Sequence, residues 1–354
     1  MNIAVQRTIP DKEAMMEHFD SYMSDYQVAW RRSHVLSSEW GRQNQRQRPW
    51  ILPYALWEEG LWPGIRDGSD NSLPGYLRRN KVRKHQGVHN LKSSWVQCAN
   101  LYFPFAASAQ GRRLLAGFLR EQLSPEIRSV DALELEYAED GELHPSALLG
   151  EEGGARGAGQ TSPDLGLLVN DGRGLLLIEN KLVEHSFYGC SARRHRGSHR
   201  RAANPDPARC DEALVVLDHH QSMCHQAAWG RRYWEHLAPV SNRDRVACLR
   251  RCPAATAGYQ LFRQQALAEG IAASGKYGLV LSCVALDERN DTLKRCLRST
   301  GLPDLRHWGD LFRGRTRFAV FTHQDWVAWV RTHDRDGQWA DWLSYVESRY
   351  GYVP

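Results

Sequence analysis

Residues 161–190 read TSPDLGLLVNDGRGLLLIENKLVEHSFYGC, and their reading decides the fold. Two apolar runs flank Asn170-Asp171-Gly172-Arg173, and Asp-Gly readily takes the positive φ angles of a two-residue type I′ hairpin loop. Centring the hairpin on Asp171 and Gly172 pairs residues whose numbers sum to 343, so Asp164 falls opposite Glu179. Directly opposed residues have Cβ atoms ~5 Å apart. Two carboxylates that close repel unless a cation lies between them, and hard divalent ions favour carboxylate oxygens. Lys181 follows Glu179 by two, which strand alternation places on the same face. The four apolar residues 175–178 read as a strand buried on both faces, where an ionised Glu and Lys need a partner or a function.

Pro163-Asp164 and Glu179-Asn180-Lys181 resemble the two halves of the PD-(D/E)xK nuclease motif. The resemblance implies a restriction-endonuclease-like fold in which Asp164 and Glu179 hold catalytic Mg²⁺ or Mn²⁺. It further implies that the Asn180 carbonyl completes the metal shell and that Lys181 positions or activates the attacking water. Over roughly residues 90–286 the chain also resembles a restriction-endonuclease-like branch of that superfamily. The matching stretches are LKSSWVQCANLYFPF, LLLIENKLVEHSFYGC and GYQLFRQQALAEG.

The 354 residues suffice for a large core, and 42% apolar with 25% charged residues is ordinary globular composition. No apolar run approaches the ~20 residues of a membrane helix. The N-terminus lacks a signal-peptide core, so the expectation is a cytoplasmic protein with no membrane role. Net charge is only +5, but basic residues cluster at Arg31-Arg32, 42–48, 78–84 and 193–201. Beside a metal site these runs favour a nucleic-acid partner, DNA before RNA because the resemblance points that way.

The expected fold class is α/β (α+β), with a mixed sheet flanked by helices. Residues 1–90 read as a helical, Trp- and Arg-rich region, with an amphipathic helix over 11–30. Trp40, Trp50, Trp57 and Trp62 read as core or interface packing, with stacking on bases as the alternative. Residues 91–286 form the expected nuclease core, and 287–354 a C-terminal extension packed on it. Helices are expected over 90–107, ending near Pro104, and over 108–123. A strand over 131–138 points Leu133, Leu135 and Tyr137 one way and Glu134 and Glu136 the other. A helix over 256–273 and a strand over 276–286 complete the order helix, three strands, helix, strand. A further strand over 317–322 and helices over 324–332 and 339–348 follow.

Eight cysteines in a cytosolic chain point to metal ligation or inert thiols rather than disulfides. Cys98 and Cys283 read as core. Cys190, Cys210, Cys224 and Cys252 fall in a polar insertion, residues 185–255, with little apolar material of its own. They are expected to hold a 4Fe-4S cluster, or alternatively structural Zn²⁺. Cys248 rivals Cys252, and His185, His195, His199 and His225 are possible replacements. As helpers at the nuclease site the resemblance suggests Glu136 or Glu121, each otherwise an ordinary surface glutamate, and Gln260 with Gln264 on one helix face. The expected activity is metal-dependent phosphodiester hydrolysis; the rival is a nuclease fold that binds nucleic acid without cutting it.

Overall fold

A computed structural model describes residues 19–68 and 72–353. Helix α1 (Phe19–His34) opens the described chain, so the part of the expected 11–30 helix before Phe19 lies outside the described residues. Helices α2 (Ser94–Ala106) and α3 (Ala109–Gln122) follow, each started by a serine: Ser93 accepts from Val96 N–H and Ser108 from Gly111 N–H. Helix α2 ends at Ala106, two residues past Pro104 and close to the expected end. Proline removes the N–H that would have bonded the Asn100 carbonyl, and the Trp342 indole donates to that oxygen instead, at 2.8 Å. Tertiary packing thereby completes the last turn of the helix.

One five-stranded sheet runs in simple order from β1 (Val130–Leu135) through β2 (Leu165–Val169), β3 (Gly174–Lys181) and β4 (Leu279–Leu286) to β5 (Arg317–Thr322). The first two joints are antiparallel and the last two parallel. In the β2–β3 hairpin Leu165 faces Ile178 and Val169 faces Gly174, the register in which residue numbers sum to 343. Asp171 and Gly172 have φ of 58° and 72°, and Arg173 N–H closes the turn on the Asn170 carbonyl. Both central residues are left-handed, as a type I′ loop requires.

Every residue of β3 and β4 is buried, because both faces of the sheet are covered. On one face Leu176, Ile178, Leu281 and Cys283 pack with α2, α3, α5 (His323–His333) and α6 (Ala340–Tyr350). The same core takes in Phe19 and Met23 of α1 and Trp57, so the N- and C-terminal segments share it with the sheet. On the other face Leu175, Leu177, Val280 and Val284 pack against α4 (Tyr259–Ser274) and residues of the cysteine-rich segment. That segment contributes Phe187, Val216, Leu217, Trp234, Leu237 and Val246 to the core, so it is not short of apolar material. Its hydrophobic residues are scattered among arginines, which hides them from a composition count.

The strand at 131–138 needs correction. The ladder stops at Leu135, and Glu136 takes φ +51°. Positive φ breaks the two-residue alternation, so Tyr137 joins the core on the face opposite Leu133 and Leu135. Among the described residues no helix is long and apolar enough to cross a membrane.

Candidate functional site

The site lies at the carboxyl end of β3, the usual place for a ligand at the edge of a parallel β-pair. One step beyond the last β2–β3 pair, the Asp164 carboxylate accepts the Asn180 N–H at 2.8 Å. Lys181 Nζ donates to Glu179 Oε1 at 2.7 Å, with both groups buried. Glu136 is brought in by the same ladder: its N–H donates to the Asp164 carbonyl at 3.0 Å. Glu136 is only 6% exposed, so its reading as a surface glutamate is wrong; its left-handed backbone turns it inward. Glu121 is exposed on α3.

Glycine makes room for that arrangement. Gly157 has φ +82°, and a Cβ there would stand 2.6 Å from the Arg83 carbonyl and 3.3 Å from Glu136 Cγ. The loop of Arg156 and Gly157 therefore lies directly on Glu136. Arg156 donates to the Glu136 and Leu135 carbonyls and pairs with Glu134, clamping the strand end.

Electrostatics at this point are dominated by negative charge. Burial first, and then the charge of Glu179, push Asp164 up to about 8. Burial, Asp164 and Glu179 raise Glu136 well above the usual carboxylate range. For Lys181, burial works to lower the pKa, but Glu179, Glu184 and Asp164 outweigh it and raise it overall. The amine is thus held as an ammonium. The buried Trp95 indole N–H lies close enough to Glu136 to favour its ionised form, though short of full hydrogen-bond geometry.

Asn180 turns its side chain away from the carboxylates, donating to the Ser94 carbonyl and to Gln97 Oε1. That bond ties the start of α2 to the site strand. The Lys181 carbonyl accepts from His323 Nε2, which ties in α5. Glu184, which sequence reasoning passed over, accepts from Leu182 N–H and Ser94 Oγ and adds to the field on Lys181. Tyr188, exposed and with φ +55°, lies with its ring 6.0 Å from Lys181 Nζ. A charge three residues past the motif and an aromatic residue seven past it were the only sequence signals for either.

The two glutamines on α4 have different roles. Gln264 is buried and donates to the Leu177 and Cys283 carbonyls and to Ser282 Oγ, bracing the back of the sheet. Gln260 is half-buried, and its N–H donates to the Phe187 carbonyl. Neither hydrogen-bonds to the Asp164, Glu179 or Lys181 side chain.

The basic runs divide by burial. Arg31 is 5% exposed and donates to the Pro49, Ile51, Ser37 and Glu39 carbonyls, so it is a structural staple and does not meet phosphate. Arg42, Arg46, Arg48, Arg78 and Arg83 are exposed. The 78–84 run adjoins the site: Arg83 N–H bonds the Arg156 carbonyl, and exposed His85 lies within electrostatic range of Lys181 and Glu184.

Cys190, Cys210, Cys224 and Cys252 line one cavity of about 20 Å³ together with Trp234, Phe262 and Tyr259. Burial first, then the neighbouring cysteines, push Cys210 up to about 12 and Cys224 up to about 11. Cys248 is exposed, its thiol turned to the Asp244 carbonyl, so Cys252 is the member that faces the others. His225 lines the cavity; its Nε2 meets the Ala202 carbonyl. All eight cysteines are free thiols. Among the described residues no group of three or more His, Cys, Asp or Glu side chains is arranged to hold a metal ion as it stands.

The chain belongs to the restriction endonuclease family described as associating with ARP, whose model matches residues 23–351. No curated protein and no solved structure matches it.

Proposed function

We propose that this protein is a divalent-metal-dependent PD-(D/E)xK nuclease that hydrolyses phosphodiester bonds in DNA. The observation that carries the reading is the β2–β3 register, which sets Asp164 beside Glu179 with Lys181 ion-paired between buried walls. Family membership supports nuclease chemistry, and its description names ARP as the associate to seek.

The donor set fits a hard cation. Burial first, and then mutual repulsion with Glu179, raise Asp164 to about 8 and raise Glu136 well above the usual carboxylate range, and Lys181 neutralises one charge only. Asp164 and Glu179 would hold Mg²⁺ or Mn²⁺ with the Asn180 carbonyl, and Glu136 would stand as a third carboxylate. A bound cation supplies a water of lowered pKa and a polarised phosphate. Asn180 N–H fixes one Asp164 oxygen, leaving the other for that purpose. Lys181 orients the attacking water and offsets phosphate charge; in the absence of metal its acidic neighbours keep it protonated. Exposed Arg83, whose N–H bonds the Arg156 carbonyl of the loop lying on Glu136, is available to a phosphate backbone passing the site.

The four facing thiols are the donor set of a metal group, an iron–sulfur cluster or alternatively Zn²⁺. The four thiols line one small cavity but are not arranged to hold a metal as they stand, so taking up either group would require them to move. In either form the group is structural and ties residues 190–252 to α4.

The test is incubation of purified protein with duplex DNA, single-stranded DNA and RNA, in Mg²⁺, in Mn²⁺ and in EDTA. DNA cleavage that stops with EDTA and in Asp164→Ala is expected. Cleavage surviving either change removes the metal mechanism. Salt-sensitive DNA binding with no turnover in any metal would instead leave a binding protein on a nuclease fold.

A further inference from the structure

Outside the carboxylate site the molecule holds a polar pocket of about 300 Å³, walled by Gln160, Arg201, Arg231, Arg263, Tyr259 and Gln226. That size lies at the lower end of small-ligand pockets. Its unusual member is Gln160. The side chain is 8% exposed, and neither its amide nitrogen nor its amide oxygen has a hydrogen-bond partner. A buried primary amide with all its hydrogen bonds unmade costs about 1–3 kcal/mol for each group left unsatisfied, so it persists where something else completes it.

The frame around Gln160 is rigid. The Glu151 carboxylate accepts from Thr161 N–H at 2.6 Å, Thr161 Oγ1 at 2.5 Å and Tyr233 OH at 2.8 Å, and pairs with Arg263 at 3.3 Å. The residue after Gln160 is thereby fixed. Arg263 packs its guanidinium over the Tyr259 ring, 5.4 Å from the centroid, making a flat cationic-aromatic wall. Arg201 and Arg231 share Glu152 between them, so two arginines meet one carboxylate and a positive charge is left over. The cavity also lies close to the candidate reaction centre. Gln160 precedes Asp164 by four residues, at most about 14 Å of extended chain, and Arg263 lies within the field of Glu179.

A side-chain amide presents a donor beside an acceptor, the pattern with which Gln reads a nucleobase edge. A flat guanidinium–tyrosine wall suits the face of an unstacked base, and arginines suit its phosphate. We propose that this cavity binds one unstacked nucleotide, its base edge hydrogen-bonded by Gln160 and its phosphate held by Arg201 and Arg231. The inference rests on the nuclease reading for its source: the nucleotide belongs to the strand whose phosphate lies at Asp164. A free nucleotide would use the same contacts.

The experiment is equilibrium binding in EDTA, where no metal-dependent cutting intervenes. Single-stranded oligonucleotides carrying one 2-aminopurine report unstacking by fluorescence, and the four deoxynucleoside monophosphates serve as competitors. Wild type is expected to brighten the probe and to discriminate among bases. Gln160→Leu should lose that discrimination, about 5- to 150-fold for a two-bond contact. Arg201→Gln should weaken all bases alike and lower the salt dependence. Competition by monophosphates at concentrations matching the oligonucleotide assigns the site to free nucleotides; preference for the oligonucleotide assigns it to the strand. Gln160→Glu, which replaces the donor by an acceptor, repeats the test should Gln160→Leu misfold, and should shift the base preference. An unstacked base bound by a protein that cuts nothing would keep this inference and refute the nuclease reading. Cleavage with base preference unaltered in both Gln160 variants would refute the inference and keep the nuclease.

Discussion

His323 gives a prediction whose size follows from the structure. The imidazole is fully buried, accepting from Tyr102 OH at Nδ1 and donating from Nε2 to the Lys181 carbonyl, each at 3.1 Å. That pattern assigns the neutral Nε2–H tautomer. Burial lowers its pKa from 6.5 to about 4, with Asp287 opposing. The unfolded chain takes up a proton near 6.5 and the folded one does not until about 4. The group's stability contribution is therefore complete above 6.5 and is lost as pH falls through that window. Between pH 7.5 and pH 5.0 the linkage amounts to about 2 kcal/mol. Urea denaturation of the metal-free protein at both pH values, compared with His323→Gln, isolates it. Gln keeps a donor for the Lys181 carbonyl but cannot titrate. The variant should lose about 1 kcal/mol at pH 7.5 through the Tyr102 bond. Its further loss at pH 5.0 should be about 2 kcal/mol smaller than that of wild type. Parallel pH dependence in the two proteins would refute the buried neutral imidazole.

Three more outcomes follow from named contacts. Asp164→Asn relieves carboxylate repulsion and should raise the melting temperature in EDTA, by about 2–4 °C for each kcal/mol relieved, while abolishing cleavage. Because the native pKa is raised, that gain should shrink as pH falls from about 8 towards 4; calorimetry at several pH values reads it. Arg31→Gln should cost about 3 kcal/mol in chemical denaturation, since it leaves several buried carbonyls unmet, with DNA affinity unchanged. In the cysteine cavity, Cys252→Ala should empty the purified protein of iron or zinc by elemental analysis, whereas Cys248→Ala should keep it.

Much of the core was legible because its signals are local. The 170–173 turn set the hairpin register, and the apolar runs 175–178 and 279–286 could only be strands covered on both faces. What escaped depends on distant residues. Helix α2 does end near Pro104, but the carbonyl that the proline frees is satisfied by Trp342, 238 positions later. Glu136 looked like a surface residue in an alternating strand, because nothing nearby in the sequence announces a left-handed backbone there. Arg31 resembled part of a basic run, yet the carbonyls it binds belong to a loop that folds back over it. The convergence of four cysteines could be guessed from composition. The choice of Cys252 over Cys248 required the fold.

The most direct check of the central claim is an anomalous difference map from a crystal of the chain soaked in Mn²⁺. Density between the carboxylates of Asp164 and Glu179, beside Lys181 and within coordination distance of both, is the predicted result. Mn²⁺ bound elsewhere, with those two carboxylates vacant at saturating metal, would contradict it.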